Sequence, residues 1–102
     1  MGVRAGDPSF WTELETGIDR AGRWTIDDCL DELTEEPSLD DANRLPGEDG
    51  ICELHAFDVD ALGGIFYARR NLEVILLSLW LANEPESRAV ALDLARSRWA
   101  SA

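Results

Sequence analysis

The sequence contains no lysine, and its nine basic residues are arginines set against 21 aspartates and glutamates. The formal net charge at pH 7 is therefore −12. A surface that binds nucleic acid needs many cations to neutralise phosphates, and this composition supplies few. The acidic residues are also concentrated, because residues 26–60 contain 13 of them against Arg44 alone. The composition excludes a broad basic surface and indicates two halves of unlike charge.

Histidine and cysteine are also scarce, with one histidine and two cysteines, Cys29 and Cys52. One histidine cannot supply a multi-histidine metal centre, and two distant cysteines match neither zinc-ligand spacing nor a disulfide framework. No Asp-rich loop has the spacing of an EF-hand. We therefore expect buried free thiols, and no metal ion or other cofactor.

Long apolar runs are missing as well. A membrane-spanning helix needs roughly 18 or more consecutive apolar residues, whereas the longest run here, residues 74–82, is interrupted by Ser78. The N-terminus lacks the apolar region of a secretory signal. A length of 102 residues with 45% hydrophobic residues suffices for one core. We therefore expect a single cytoplasmic domain spanning residues 1–102, with no membrane partner.

The first half of the chain predicts two helices. Asp7-Pro8 is a helix start signal, because the carboxylate can cap free amides and proline needs no donor. Apolar residues then recur every three or four positions, which predicts a helix over about residues 9–20 that ends near Gly22. Thr25 opens a segment resembling a capping box and predicts the start of a second helix. The polar side of that helix carries five carboxylates, here termed the acidic face: Asp27, Asp28, Asp31, Glu32 and Glu35.

The second half predicts a small sheet followed by a helix. Residues 37–50 are rich in turn formers and predict a connection, and from Ile51 the apolar pattern changes to a period of two. We expect three strands joined by short turns into an antiparallel meander, over residues 51–57, 65–68 and 73–80. The third is apolar almost throughout, which predicts a central strand covered on both faces. Pro85 starts the last helix.

The predicted fold class is α+β. It consists of two N-terminal helices, a three-stranded antiparallel meander and a C-terminal helix. An extra N-terminal strand before Phe10 is left open, because no strand pattern can be recognised there.

Four segments within residues 45–99 together resemble the RelE/HigB-like toxins of the RelE/ParE superfamily, including its phage-derived relatives. Their order and spacing carry the resemblance, over about half of the chain. The segments are Leu45-Pro46-Gly47-Glu48-Asp49-Gly50-Ile51-Cys52-Glu53-Leu54-His55, Gly63-Gly64-Ile65-Phe66-Tyr67, Val74-Ile75-Leu76-Leu77-Ser78-Leu79-Trp80-Leu81-Ala82-Asn83 and Ala95-Arg96-Ser97-Arg98.

The resemblance implies a toxin of a type II toxin-antitoxin pair that cleaves messenger RNA on the ribosome and is neutralised by an antitoxin. Such cleavage needs acid-base groups and cations that stabilise the phosphorane. Tyr67 matches the family's strand tyrosine, and His55 stands where the family has an arginine, so the resemblance implies catalytic roles for both. Arg69 and Arg70 lie in the predicted turn that follows, where phosphate contact is possible, and complete the candidate catalytic set. Arg88, Arg96 and Arg98 are candidate RNA or phosphate contacts. Three cationic sites of the family pattern are replaced, by His55, by Gly64 and by Ala82-Asn83, which leaves enzymatic activity open.

Other roles are open for the same residues. His55 fits a surface or strand-packing histidine, Tyr67 a packing residue, and the arginines partners for the excess carboxylates. A different class of function is a non-catalytic interaction or inhibitor protein, whose acidic face mimics nucleic-acid charge and binds a basic protein partner. The alternative for that face is simple solvation. We interpret most of the four tryptophans as core or interface anchors: Trp11, Trp24, Trp80 and Trp99.

Overall fold

The computed structural model describes residues 2–54, 62–71 and 73–102. The predicted α+β class and the C-terminal helix are confirmed. In chain order the elements are β1 (Gly2–Ala5), α1 (Ser9–Gly17), α2 (Arg20–Glu35), α3 (Leu39–Asn43), β2 (Cys52–Leu54), β3 (Leu62–Arg70), β4 (Glu73–Leu81) and α4 (Ser87–Ser101).

The four strands form one mixed sheet in the order β1-β4-β3-β2. The antiparallel pairs β2–β3 and β3–β4 confirm the predicted meander, and β1 adds a parallel strand beside β4. The extra strand before Phe10 is therefore present. It places β4 inside the sheet, as the continuous apolar run of that strand predicted.

Helices cover both faces of the sheet. On one face, Phe10 and Leu14 of α1 and Ile26 of α2 pack with a core that includes Tyr67 and Leu76.

On the other face, α4 packs through two small residues, Ala91 and Ala95, against Phe66, Ile75 and Leu77. Alternate residues of each strand point to opposite faces, so β3 and β4 contribute to both cores.

The boundary between the first two helices differs from the prediction. α1 ends at Gly17, and α2 begins at Arg20, upstream of Thr25. The Asp19 carboxylate caps α2 by accepting a hydrogen bond from the Gly22 backbone N–H at 2.8 Å. The prediction that Gly22 ends a helix and Thr25 caps the next was therefore wrong. Asp19 supplies an earlier cap, and Gly22 is buried within α2.

Two other parts of the secondary structure also differ from the prediction. The predicted connection over residues 37–50 contains the short helix α3, and β3 is longer than the predicted residues 65–68. Asn71 follows β3 with a φ of 58°, in the left-handed region that asparagine tolerates in turns. β2 is described as far as Leu54, so the rest of the predicted first strand lies outside the described residues.

Both cysteines are free, and Cys52 is buried as expected while Cys29 is partly exposed. Burial raises the pKa of the Cys52 thiol, which keeps it protonated. Among the residues that the structure describes, no helix is long and apolar enough to cross a membrane. Over the same ranges, no three His, Cys, Asp or Glu residues are grouped to hold a metal ion.

Candidate functional site

Tyr67 and Arg69 belong to a buried polar network on the side of the sheet that α1 and α2 cover. The Tyr67 side chain is 0% exposed. Its hydroxyl donates to Asp40 Oδ1 at 3.0 Å and accepts from Asn43 Nδ2 at 3.2 Å. Arg69 Nε donates to Asp40 Oδ2 at 2.5 Å, and Nη2 donates to the Leu33 carbonyl at 2.8 Å. These bonds connect β3 to α3 and to the C-terminal end of α2.

The surroundings of Tyr67 also fix its protonation state. Burial raises the pKa of Tyr67 well above its ordinary value, and the hydrogen bond donated to Asp40 raises that pKa further. The phenol is therefore neutral at physiological pH and enclosed by the core. In this arrangement it holds α3 against the sheet.

Arg70 lies on the opposite side of the sheet, because successive strand residues alternate in direction. Its guanidinium carbon is 4.7 Å from the centroid of the Trp99 ring in α4. The side chain is exposed. Within the described residues it forms no ion pair, and it borders a pocket of about 650 Å³ that Glu48, Arg96 and Trp99 also line.

The candidate catalytic residues are therefore not assembled in one place. The sheet separates Arg70 from Tyr67 and Arg69. His55 lies outside the described residues, so its position relative to the other three is not part of the described structure.

Arg88, a candidate RNA contact, is bound by a buried carboxylate. Glu53 is 6% exposed, and its Oε2 accepts from Arg88 Nε and from Trp80 Nε1, both at 2.9 Å. The hydrogen bonds to Glu53 raise the pKa of Arg88. A Cβ atom at Gly64 would lie 2.8 Å from Trp80 Nε1 and 3.3 Å from Glu53 Oε2. A side chain at the position aligned with a family arginine would therefore require the Trp80 indole to shift.

The other two candidate RNA contacts also have carboxylate partners. Arg96 is exposed and pairs with Glu48 and Asp93. Arg98 is only 8% exposed, and it donates to Glu13 Oε2 and to the Leu77 carbonyl, both at 2.7 Å. That pair connects α4 to α1. Within the described residues, seven of the nine arginines form ion pairs.

The acidic face, in contrast, is open to solvent. All five of its carboxylate residues are exposed, whereas Ile26, Leu30 and Leu33 on the other side of α2 are buried. Within the described residues, its only ion pair joins Asp27 to Arg23 at 3.5 Å. The predicted amphipathic helix is confirmed, and its charges are left largely unneutralised by the chain.

The charges of α2 are arranged against the stability of the helix. Arg20 and Arg23 lie near its positive N-terminal end, and no basic residue lies in its last turn. The acidic face contains three like-charge pairs at i, i+4: Asp27 with Asp31, Asp28 with Glu32, and Asp31 with Glu35. Each such pair destabilises a helix by about 0.2–0.5 kcal/mol. Helix stability therefore does not explain this pattern of charges.

Trp24 stands out among the four tryptophans because its side chain is 65% exposed. Trp11, Trp80 and Trp99 pack against the two cores, as expected for core anchors. The sequence did not separate Trp24 from these three. Its helical position could have done so, because it precedes Asp27 and Asp28 by three and four residues and thus falls on the polar side of α2.

Comparison with protein-family models finds no match to this chain, and comparisons with curated proteins and with solved structures find no significant match. The resemblance to RelE/HigB-like toxins therefore stays a prediction from sequence patterns. The fold and the site define a three-layer α+β protein whose arginines are mostly paired internally and whose α2 presents an acidic surface.

Proposed function

We propose that the protein is an acidic interaction protein, of the nucleic-acid-mimic type, that binds a basic protein partner through the acidic face of α2. One contrast carries the proposal. The chain neutralises most of its arginines with its own carboxylates, yet leaves five carboxylates exposed on one helix. A cationic partner would relieve their mutual repulsion, and opposite potentials steer such partners together.

The proposal predicts opposite effects of one variant on binding and on stability. Replacing Asp28 and Asp31 with asparagine and Glu35 with glutamine should weaken binding of a decalysine peptide about tenfold, because exposed ion pairs contribute about 0.2–1 kcal/mol each. The same variant should be more stable by about 0.6–1.5 kcal/mol, because all three like-charge pairs are lost. Calorimetric titration and urea unfolding measure the two effects.

A second variant with the same change of net charge provides the control. It carries Asp41→Asn, Asp49→Asn and Glu84→Gln, at exposed positions outside α2. Its affinity for decalysine should stay within about twofold of the wild type, since distant exposed charges are screened. Equal losses of affinity in both variants would mean that net charge alone attracts the peptide, and the proposed surface would be rejected.

We propose as a second candidate the divergent ribosome-dependent endoribonuclease of a toxin-antitoxin pair, with the ribosome, messenger RNA and an antitoxin as partners. The observation that favours it is Arg70, which is exposed beside a pocket and forms no ion pair within the described residues. A guanidinium in this state is free to contact a phosphate.

The ribonuclease candidate predicts growth arrest and fragmented messenger RNA when the chain is expressed in a bacterial host. Arg70→Ala should relieve both effects, because it removes the unpaired cation and leaves the core intact. Arg20→Ala is the matched control, since Arg20 is also an exposed arginine over a tryptophan ring, at 5.8 Å. Intact messenger RNA on expression of the wild type, or equal relief by both variants, would count against this candidate.

A further inference from the structure

Binding of cations by the acidic face does not account for the exposed position of Trp24 on α2. The side chain is 65% exposed, although a tryptophan is highly buried on average. At 3.6 residues per turn, Trp24 lies within a sector of about 60° that also contains Asp28, Asp31 and Glu35. The indole ring and the carboxylates therefore form one continuous surface. From Asp27 to Glu35 the carboxylates extend about 12 Å along the helix axis, on the C-terminal side of Trp24.

The indole rings of this chain accept a stacked guanidinium, as the chain's own arginines show. A guanidinium carbon lies over each of three indole rings: Arg20 over Trp24 at 5.8 Å, Arg23 over Trp11 at 5.2 Å and Arg70 over Trp99 at 4.7 Å. A planar guanidinium stacks on an indole while its edge still donates hydrogen bonds to carboxylates. A lysine ammonium is a compact, strongly hydrated charge, so it gains less from the ring.

We infer that Trp24 selects arginine, and that the surface formed by Trp24 and the acidic face binds an arginine-rich protein segment. The inference rests on the proposed function, because the acidic face supplies the attraction for cations and Trp24 adds the preference for arginine over lysine. Arg20 already lies over the Trp24 ring, yet the Trp24 side chain stays 65% exposed, so part of the ring is left for a second guanidinium. Because the carboxylates of the acidic face all follow Trp24 along α2, the bound segment places one arginine on the Trp24 ring and its other cations toward Glu35.

The experiment compares decaarginine with decalysine on the full chain and on Trp24→Leu. Leucine keeps an apolar side chain and a high helix propensity but lacks the aromatic face. The affinity for decaarginine should fall about threefold to fivefold, as expected for an exposed cation–π contact. The affinity for decalysine should change by less than about twofold. Val90→Ala is the control, because Val90 is 70% exposed on α4, and it should affect neither peptide.

The outcomes separate this inference from the proposed function. An unchanged affinity for decaarginine in Trp24→Leu would overturn the selection of arginine, even if neutralising the acidic face still weakens both peptides. Equal losses for both peptides would also overturn it, because Trp24 would then act as an apolar contact. If neutralising the acidic face weakens neither peptide, the proposed function itself fails, whatever Trp24→Leu does.

Discussion

Replacing Arg69 with leucine is expected to lower the free energy of unfolding by about 3–5 kcal/mol, the usual cost of breaking a buried ion pair from one side. The reason is the carboxylate that is left behind. Asp40 is 7% exposed, and Arg69 supplies two of its hydrogen-bond donors, Nε at 2.5 Å and Nη2 at 3.3 Å. The Leu33 carbonyl at the end of α2 loses its Arg69 donor as well. Urea unfolding followed by tryptophan fluorescence measures the change.

Two further variants test whether the unpaired Asp40 carboxylate causes the loss of stability. The double variant Asp40→Leu, Arg69→Leu should be more stable than Arg69→Leu alone, because it removes both charged groups from the interior. Arg4→Leu should cost less than about 1 kcal/mol, since Arg4 and Glu73 form a solvent-exposed pair, with side chains 43% and 42% exposed. An Arg69→Leu variant within about 1 kcal/mol of the wild type would refute the buried network.

The single tyrosine is expected to stay un-ionised in the folded protein at pH values where an unfolded chain carries phenolate. Burial and the hydrogen bond to Asp40 raise the pKa of Tyr67, whereas an unperturbed tyrosine has a pKa of about 10. The folded state therefore keeps a proton that the unfolded state loses. This contribution to stability is complete below about pH 10 and is lost as the pH rises through the raised pKa.

The phenolate absorbance of Tyr67 can be read directly, because the chain has one tyrosine and Tyr67→Phe provides a blank. In urea the titration should show a pKa of about 10. In buffer the phenolate signal should appear only together with the fluorescence change of unfolding. A reversible phenolate titration near pH 10 in the folded protein would contradict the burial of Tyr67, and it would reopen a role for Tyr67 in proton transfer.

Local patterns in the sequence predicted most of the secondary structure. The apolar run from Val74 onward predicted the central strand, and the three- and four-residue spacing predicted the helices that cover it. β1 and α3 were not recognised because each is too short to show a period. β1 is stabilised by pairing with β4, and α3 is held by Asp40, whose partners Tyr67 and Arg69 lie far along the chain.

The roles of the candidate site residues were predicted less well. The predicted strand ended at residue 68, which left Arg69 and Arg70 in a turn where both could serve one site. Because β3 extends to Arg70, alternation along the strand places the two arginines on opposite faces. The exposure of the acidic face followed from helical spacing and is confirmed. The internal pairing of Arg88, Arg96 and Arg98 was one of the open alternatives, but the sequence could not say which carboxylates they meet.

By itself, the sequence determined the α+β class, the amphipathic helix with its acidic face and the two-sided burial of β4, because each depends on residue type and short-range period. Only the tertiary structure decided which arginines pair with which carboxylates. Arg69 meets Asp40 because α3 packs against β3, and Arg98 meets Glu13 because α4 and α1 lie close enough to pair. Trp24 remains exposed because no other element covers that side of α2 within the described residues. Ion pairing and burial depend on which distant elements come together, and that information is absent from any short stretch of sequence.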